Sequence, residues 1–98
     1  MATEKNRFVI VRTYSAGVHA GRLVRAHGKE VTLADSIRIW YWKGAASLSQ
    51  LAMEGVKDPS ACKFAMPVEL ITLTEAIEII PCTLKAEKII KGVPSWKM

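Results

Sequence analysis

Apolar residues run in short extended blocks separated by small, polar or glycine-containing turns, a rhythm that predicts strands over the first half of the chain. Arg7 to Tyr14 (RFVIVRTY) is rich in β-branched and aromatic residues and reads as a first strand, closed by a turn at Ser15-Ala16-Gly17. Val18 to Ala26 alternates, with Val18, Ala20, Arg22 and Val24 on one face and His19, Gly21, Leu23 and Arg25 on the other. Gly21 inside that strand predicts a bend or bulge. His27-Gly28-Lys29 is a hairpin turn, Glu30 to Leu33 a third strand, Ala34-Asp35-Ser36 a turn, and Ile37 to Trp42 (IRIWYW) a fourth strand. In that last strand Ile37, Ile39 and Tyr41 share one face, and Arg38, Trp40 and Trp42 the other. Both faces carry bulk, so both are expected to be covered.

The pattern then changes period. Ser47 to Glu54 (SLSQLAME) has helical spacing in Leu48, Leu51 and Ala52, a capping serine and a stop at Gly55. Val56 to Ser60 is loop, and Lys63 to Leu73 is a strand or sheet edge broken at Met66-Pro67. Ala76 to Pro81 (AIEIIP) reads as a closing strand, and Thr83 to Lys91 as a helix capped by Thr83 and stopped by Gly92. The fold class expected is mainly β (α+β): a small, strongly bent antiparallel sheet or small barrel with an inserted helix and a C-terminal helix. One domain spans residues 1–98, with a flexible start at 1–6 and a tail at 92–98 that ends in an exposed Trp96 able to dock on a neighbouring subunit.

Composition adds two expectations. Half of the 98 residues are hydrophobic, a heavy load for one small core, which predicts association into a homo-oligomer. A net charge of +5 favours nucleotides, nucleic acid or acidic surfaces as partners. The chain shows no signal-peptide pattern and no apolar run long enough to span a membrane, so the expected location is cytoplasmic, without a membrane partner and with Cys62 and Cys82 reduced.

Candidate chemistry is basic and aromatic. The two cysteines and two histidines, His19 and His27, form no zinc spacing, and no nucleophile lies beside a base. Glu75 and Glu78 read as solvated residues, and no phosphate-binding glycine loop is present. The expectation is therefore a binding protein, not an enzyme, with no cofactor and no metal. Arg12, Tyr14, His19, Arg22, Arg38, Trp40 and Trp42 are the candidate ligand-binding residues, because guanidinium forks grip phosphate and aromatic faces stack on bases. Strand pairing is expected to bring Arg22, Arg38, Trp40 and Trp42 close. Trp40 and Trp42 serve either as a stacking platform or as core and interface residues. Arg12 reaches either a ligand phosphate or a carboxylate such as Glu75 or Glu78. The small residues of the Tyr14–His19 turn can let a ligand approach the backbone.

The strand order, the glycine in the second strand and the AIEIIP closing strand are similar to SH3-like and Sm-like barrels, although residues 43–73 have no counterpart in the minimal fold. The segments RTYSAGVHAG (12–21), GKEVTLADSIRIWYWKGAASLSQLA (28–52) and LTEAIEIIPCT (73–83) resemble a family of small proteins of tailed bacteriophages and prophages. That resemblance implies a phage setting and an infected bacterial host's cytoplasm, and supplies no catalytic or binding residues. Its implication for function is an anti-defence sponge that sequesters a nucleotide signal of cyclic or ADP-ribose type. The alternatives are an Sm-like binder of single-stranded RNA or DNA, and a phage structural or host-protein-binding component.

Overall fold

Three successive hairpin-paired strands build the sheet in the computed structural model, which describes residues 6–96. They are β1 (Phe8–Thr13), β2 (Val18–His27) and β3 (Glu30–Tyr41). Next come α1 (Leu48–Glu54), a 3₁₀ turn (Pro59–Ala61), β4 (Lys63–Phe64), β5 (Val68–Leu73), β6 (Ala76–Pro81) and α2 (Leu84–Lys91). The expected flexible start lies outside the described residues up to residue 5. Asn6 is held, its amide donating to the Leu23 carbonyl at 2.6 Å. The last two residues of the expected tail also lie outside the described residues.

The sheet is antiparallel and mainly β architecture follows, as the sequence predicts. β6 pairs with β1, β1 with β2 and β2 with β3, while β4 and β5 share the far edge of β3 in turn. β4 lies against Ile39 and Tyr41, and β5 against Val31 to Ser36. The break between them falls at Met66-Pro67, where proline can donate no ladder bond. Only Thr74 and Glu75 carry the chain from β5 on one edge to β6 on the other. So short a link forces the sheet to curl until its edges approach. The Tyr14 amide donates to the Glu75 carbonyl at 2.9 Å and the Ala76 amide to that of Lys29 at 3.0 Å, tying the link to two hairpin ends.

Curling divides the apolar residues into two clusters. The concave side holds Val9, Val11, Leu23, Val31, Leu33 and Leu73. On the convex side Phe8, Ile10, Ala20, Ile37, Ile39 and Phe64 pack under Leu51 and Ala52 of α1 and Ala86 and Ile90 of α2. Each fully buried aliphatic side chain stabilises by about 1.5–3 kcal/mol. Ser47 caps α1 by accepting from the Gln50 amide, and Thr83 caps α2 by accepting from the Ala86 amide. Thr83 Oγ1 also donates to the Met53 carbonyl at 2.7 Å, which locks the two helices end to end. Gly55 closes α1 at φ 76°, and a Cβ there would lie 2.8 Å from Ile89, so only glycine lets α2 pack this closely.

One departure from the sequence reading organises the rest. The strands expected at Glu30–Leu33 and Ile37–Trp42 are a single strand, β3, and Ala34-Asp35-Ser36 is a bulge within it. Ala20 faces Ile37 whereas Arg22 faces Ala34, so β3 carries one extra residue against β2. That residue is Asp35, in the left-handed region at φ 51°. Continuous pairing with β2 on one side and β5 on the other holds the strand together through the turn-like residues. A second offset at Val24, this time an extra residue in β2, restores the register before His27 meets Glu30. Gly21 lies opposite the first bulge, where a Cβ would come within 3.1 Å of both the Ala34 oxygen and Ser36 Cα.

The bulge also reverses the strand's faces. Val31 and Leu33 enter the concave cluster, while Ile37 and Ile39, at the same sequence parity, enter the convex one.

Gly21→Val is expected to lower unfolding free energy by about 1–3 kcal/mol through overpacking against backbone that cannot yield. Asp35→Gly should stay within about 1 kcal/mol of wild type, since glycine accepts positive φ freely. Urea denaturation of the two variants checks both, and a Gly21→Val protein as stable as wild type would refute the crowded bulge.

Candidate functional site

Past the bulge, β3 presents Ser36, Arg38 and Trp40 beside His19 of β2, whose Cα partner is Arg38. Together with Ala65, Met66, Val68 and Ile71 from the β4–β5 edge, they line a cleft of about 280 Å³. Arg38 and Trp40 also line an adjoining groove of about 450 Å³ bounded by Ser15 to Val18, Ile39 and Trp42. The two side chains thus form a ridge between two concavities.

The floor and the rim differ in kind. His19 and Ser36 are 0% and 2% exposed. His19 Nε2 lies 2.9 Å from the Ala16 carbonyl, an acceptor, so that nitrogen carries the proton and Nδ1 keeps a lone pair. Neither His19 Nδ1 nor Ser36 Oγ has a hydrogen-bond partner among the described residues. A buried polar group left unpaired costs about 1–3 kcal/mol, so two in one cleft mark a place where a ligand's polar atoms would be stabilised. Burial lowers the pKa of His19; the bond to Ala16 opposes that shift and the Arg38 charge adds to it. At the rim Trp40 is 61% exposed, and Met66 and Val68 are exposed beside it. The exposed Arg38 guanidinium makes no hydrogen bond or ion pair among the described residues.

The remaining sequence candidates separate. Arg12 Nε bonds Glu78 Oε1 at 2.7 Å across the β1–β6 pair, which is the carboxylate alternative. Arg22 is turned to Asn6 Oδ1 at 3.1 Å and lies 3.8 Å from Asp35 Oδ2, so it does not join Arg38. Trp42 does not share a face with Arg38 and Trp40, because β3 ends at Tyr41 and the indole turns back to pack on the convex core. Its outer part still bounds the adjoining groove. Tyr14 is 78% exposed at the β1–β2 turn and lines neither concavity. In that turn Ala16 donates its amide to Thr13 Oγ1 at 2.8 Å, while Ser15 Oγ reaches Glu75 at 3.1 Å.

Sequence reasoning missed Ser36, Met66, Val68 and Ile71. Ser36 read as a turn residue, and the other three come from an edge whose register against β3 no local signal announces. Met66-Pro67 as a strand break was the available clue, since an unpaired stretch beside β3 opens the cleft.

Other chemistry lies elsewhere. Cys62 and Cys82 are buried, and the Cys82 thiol is pushed up to about 12 by burial and by Glu87, against a lowering effect of Arg7. No group of three or more His, Cys, Asp or Glu side chains able to hold a metal occurs among the described residues. None of the described helices is long and apolar enough to cross a membrane. Trp96 is exposed, as the sequence predicts, and its backbone lies along β4 of its own chain. Its amide donates to the Phe64 carbonyl at 2.8 Å, and Lys63 Nζ sits 5.2 Å from its ring centroid.

Comparison with protein-family models matches residues 6–90 to a domain of unknown function, DUF6948. No curated protein and no solved structure matches the chain.

The neutral, buried His19 gives a pH signature. The unfolded chain, with histidine near 6.5, takes up a proton more readily than the folded one, so the stability that neutral His19 contributes is complete above that value. It is lost as pH falls through the lowered folded-state value. Urea midpoints between about pH 7.5 and about pH 5 should therefore drop for wild type and drop less for His19→Gln. Parallel profiles would show that His19 does not titrate with folding.

Proposed function

The chain belongs to the DUF6948 family, and we propose that it is a binding protein that captures a small nucleotide in the cleft between β3 and the β4–β5 edge. The observation that carries the reading is the Arg38–Trp40 pair: a cation without a protein partner and an exposed indole, two residues apart on one strand, above a floor with unpartnered buried atoms. A guanidinium free of carboxylates is available to phosphate, and an exposed indole beside an apolar rim is available to stack on a base. The adjoining groove, bounded by the small residues Ser15, Ala16 and Gly17, gives the rest of such a ligand a place to lie. In the phage setting implied by the sequence resemblance, such capture would withdraw a host defence signal of cyclic-nucleotide or ADP-ribose type.

Self-association accompanies the proposal. β5 and β6 each pair with a single neighbour, and Leu70 and Ile77 stand exposed on them. Copies that pair through these edges would cover the apolar load. Light scattering at micromolar concentration should give a mass above that of one 10.8 kDa chain, and a monomer would end this part of the proposal.

For the ligand itself, tryptophan fluorescence and calorimetry with cyclic and ADP-ribose-type nucleotides provide the test. Arg38→Ala should weaken binding by about 1.5–3 kcal/mol, with Arg38→Lys recovering only part of it because the planar fork is lost. Trp40→Ala should cost about 1–3 kcal/mol. Arg12→Ala and Arg22→Ala, on residues already paired within the protein, should leave affinity unchanged. Equal losses at the three arginines would point to general charge attraction and against this cleft.

A further inference from the structure

We infer that the His19–Ser36 floor reads the ligand's ring: a nitrogen heterocycle enters first, presenting a hydrogen-bond donor to His19 Nδ1, while its anionic group stays at the mouth with Arg38. This rests on the cleft being the ligand site proposed above and adds which end of the ligand goes in.

Three observations fix the orientation. The Nε2 proton of His19 is committed to the Ala16 carbonyl at 2.9 Å, so the Nδ1 turned away from it can only accept. A phosphate or carboxylate offers further lone pairs and would be repelled there. It could bind only if the ring were protonated, a form that burial and the nearby Arg38 charge both disfavour. A ring N–H or an exocyclic amino group is the complement that a neutral Nδ1 requires. In the same cleft, the Ser36 hydroxyl can donate or accept, so it suits an acceptor atom on the edge of such a nucleobase.

The walls agree with a ring. Ala65, Val68 and Ile71 offer no charge to a buried anion, and Met66 and Trp40 offer polarisable faces to a flat π-system. Among the described residues the only cation lining the cleft is Arg38, at the ridge shared with the adjoining groove, so phosphate belongs there and outward. A volume of about 280 Å³ suits one base with part of its sugar and not two stacked bases. The ligand class is thus a nucleotide that buries a single donor-bearing base.

Calorimetry of the full chain with the four common nucleoside 5′-monophosphates and with ribose 5-phosphate separates the two ends. At least one nucleotide should bind about tenfold or more tightly than ribose 5-phosphate. Methylating the N–H donor of that nucleotide should remove most of the gain. In protein labelled with ¹⁵N-histidine, the same nucleotide should shift the His19 Nδ1 resonance and ribose 5-phosphate should not. Ser36→Ala should weaken the nucleotide severalfold, leave ribose 5-phosphate unchanged and keep or raise the melting temperature, which distinguishes a lost contact from a lost fold. If ribose 5-phosphate binds as tightly as every nucleotide, ring-first entry is wrong while anion capture at Arg38 stands. The inference is equally overturned if a nucleotide is preferred but the methylated analogue and the Nδ1 resonance behave as though no bond had formed. If no probe binds, and only single-stranded oligonucleotides do so with a steep salt dependence, both this inference and the mononucleotide reading fall.

Discussion

Everything distinctive about this small sheet depends on one extra residue in β3. Asp35 at positive φ, accommodated by Gly21 across the strand pair, reverses the facing of β3 halfway along its length. Before the bulge the strand feeds the concave cluster, and after it the same sequence parity feeds the helix-covered cluster. Without the reversal, Val31, Leu33, Ile37 and Ile39 would crowd one face, and Ser36, Arg38 and Trp40 would stand under the helices. The cleft is thus a product of the bulge. It sits where the concave face stops being filled by aliphatic side chains and begins to be lined by polar and aromatic ones.

The two clusters share β1, an inner strand that is buried on both sides except at Arg12. That sharing couples the helices to the curl: Phe8 and Ile10 anchor one layer, Val9 and Val11 the other. The capping of α2 by Thr83, together with its bond to the end of α1, makes the helical layer a single lid. His19 lies on the neighbouring strand at the margin of this rigid arrangement, so its ring is held by packing as well as by Ala16. A fixed tautomer needs such a frame, since a mobile imidazole would exchange its donor and acceptor ends.

Local chemistry made most elements legible. β-branched runs marked the strands, Ser47 and Thr83 the helix starts, and Met66-Pro67 the interrupted edge. Gly21 announces a bulge, though Asp35 across from it reads as a turn residue in sequence, because a left-handed residue flanked by small ones looks alike in both settings. The site was half legible for the same reason. Arg38, Trp40 and His19 stood out by residue type, but counting alternate positions past the end of β3 put Trp42 on their face, when strand termination had released it to the core. Arg12 and Arg22 were indistinguishable from Arg38 in sequence. Only the cross-strand register, which brings Glu78 beside the first and Asp35 near the second, removes their charge from play. Such long-range pairings have no local signature.

The pairing of β1 with β6 joins Val9 to Pro81 across almost the whole chain. A ribosome delivers Val9 and Val11 well before their closing partners Pro81 and Ile79. Until then the β1–β3 meander can pair but cannot seal its concave side. Completion of the fold is therefore tied to the emergence of the last strand, and the nascent meander must pass through synthesis with an open apolar face that other chains can also reach.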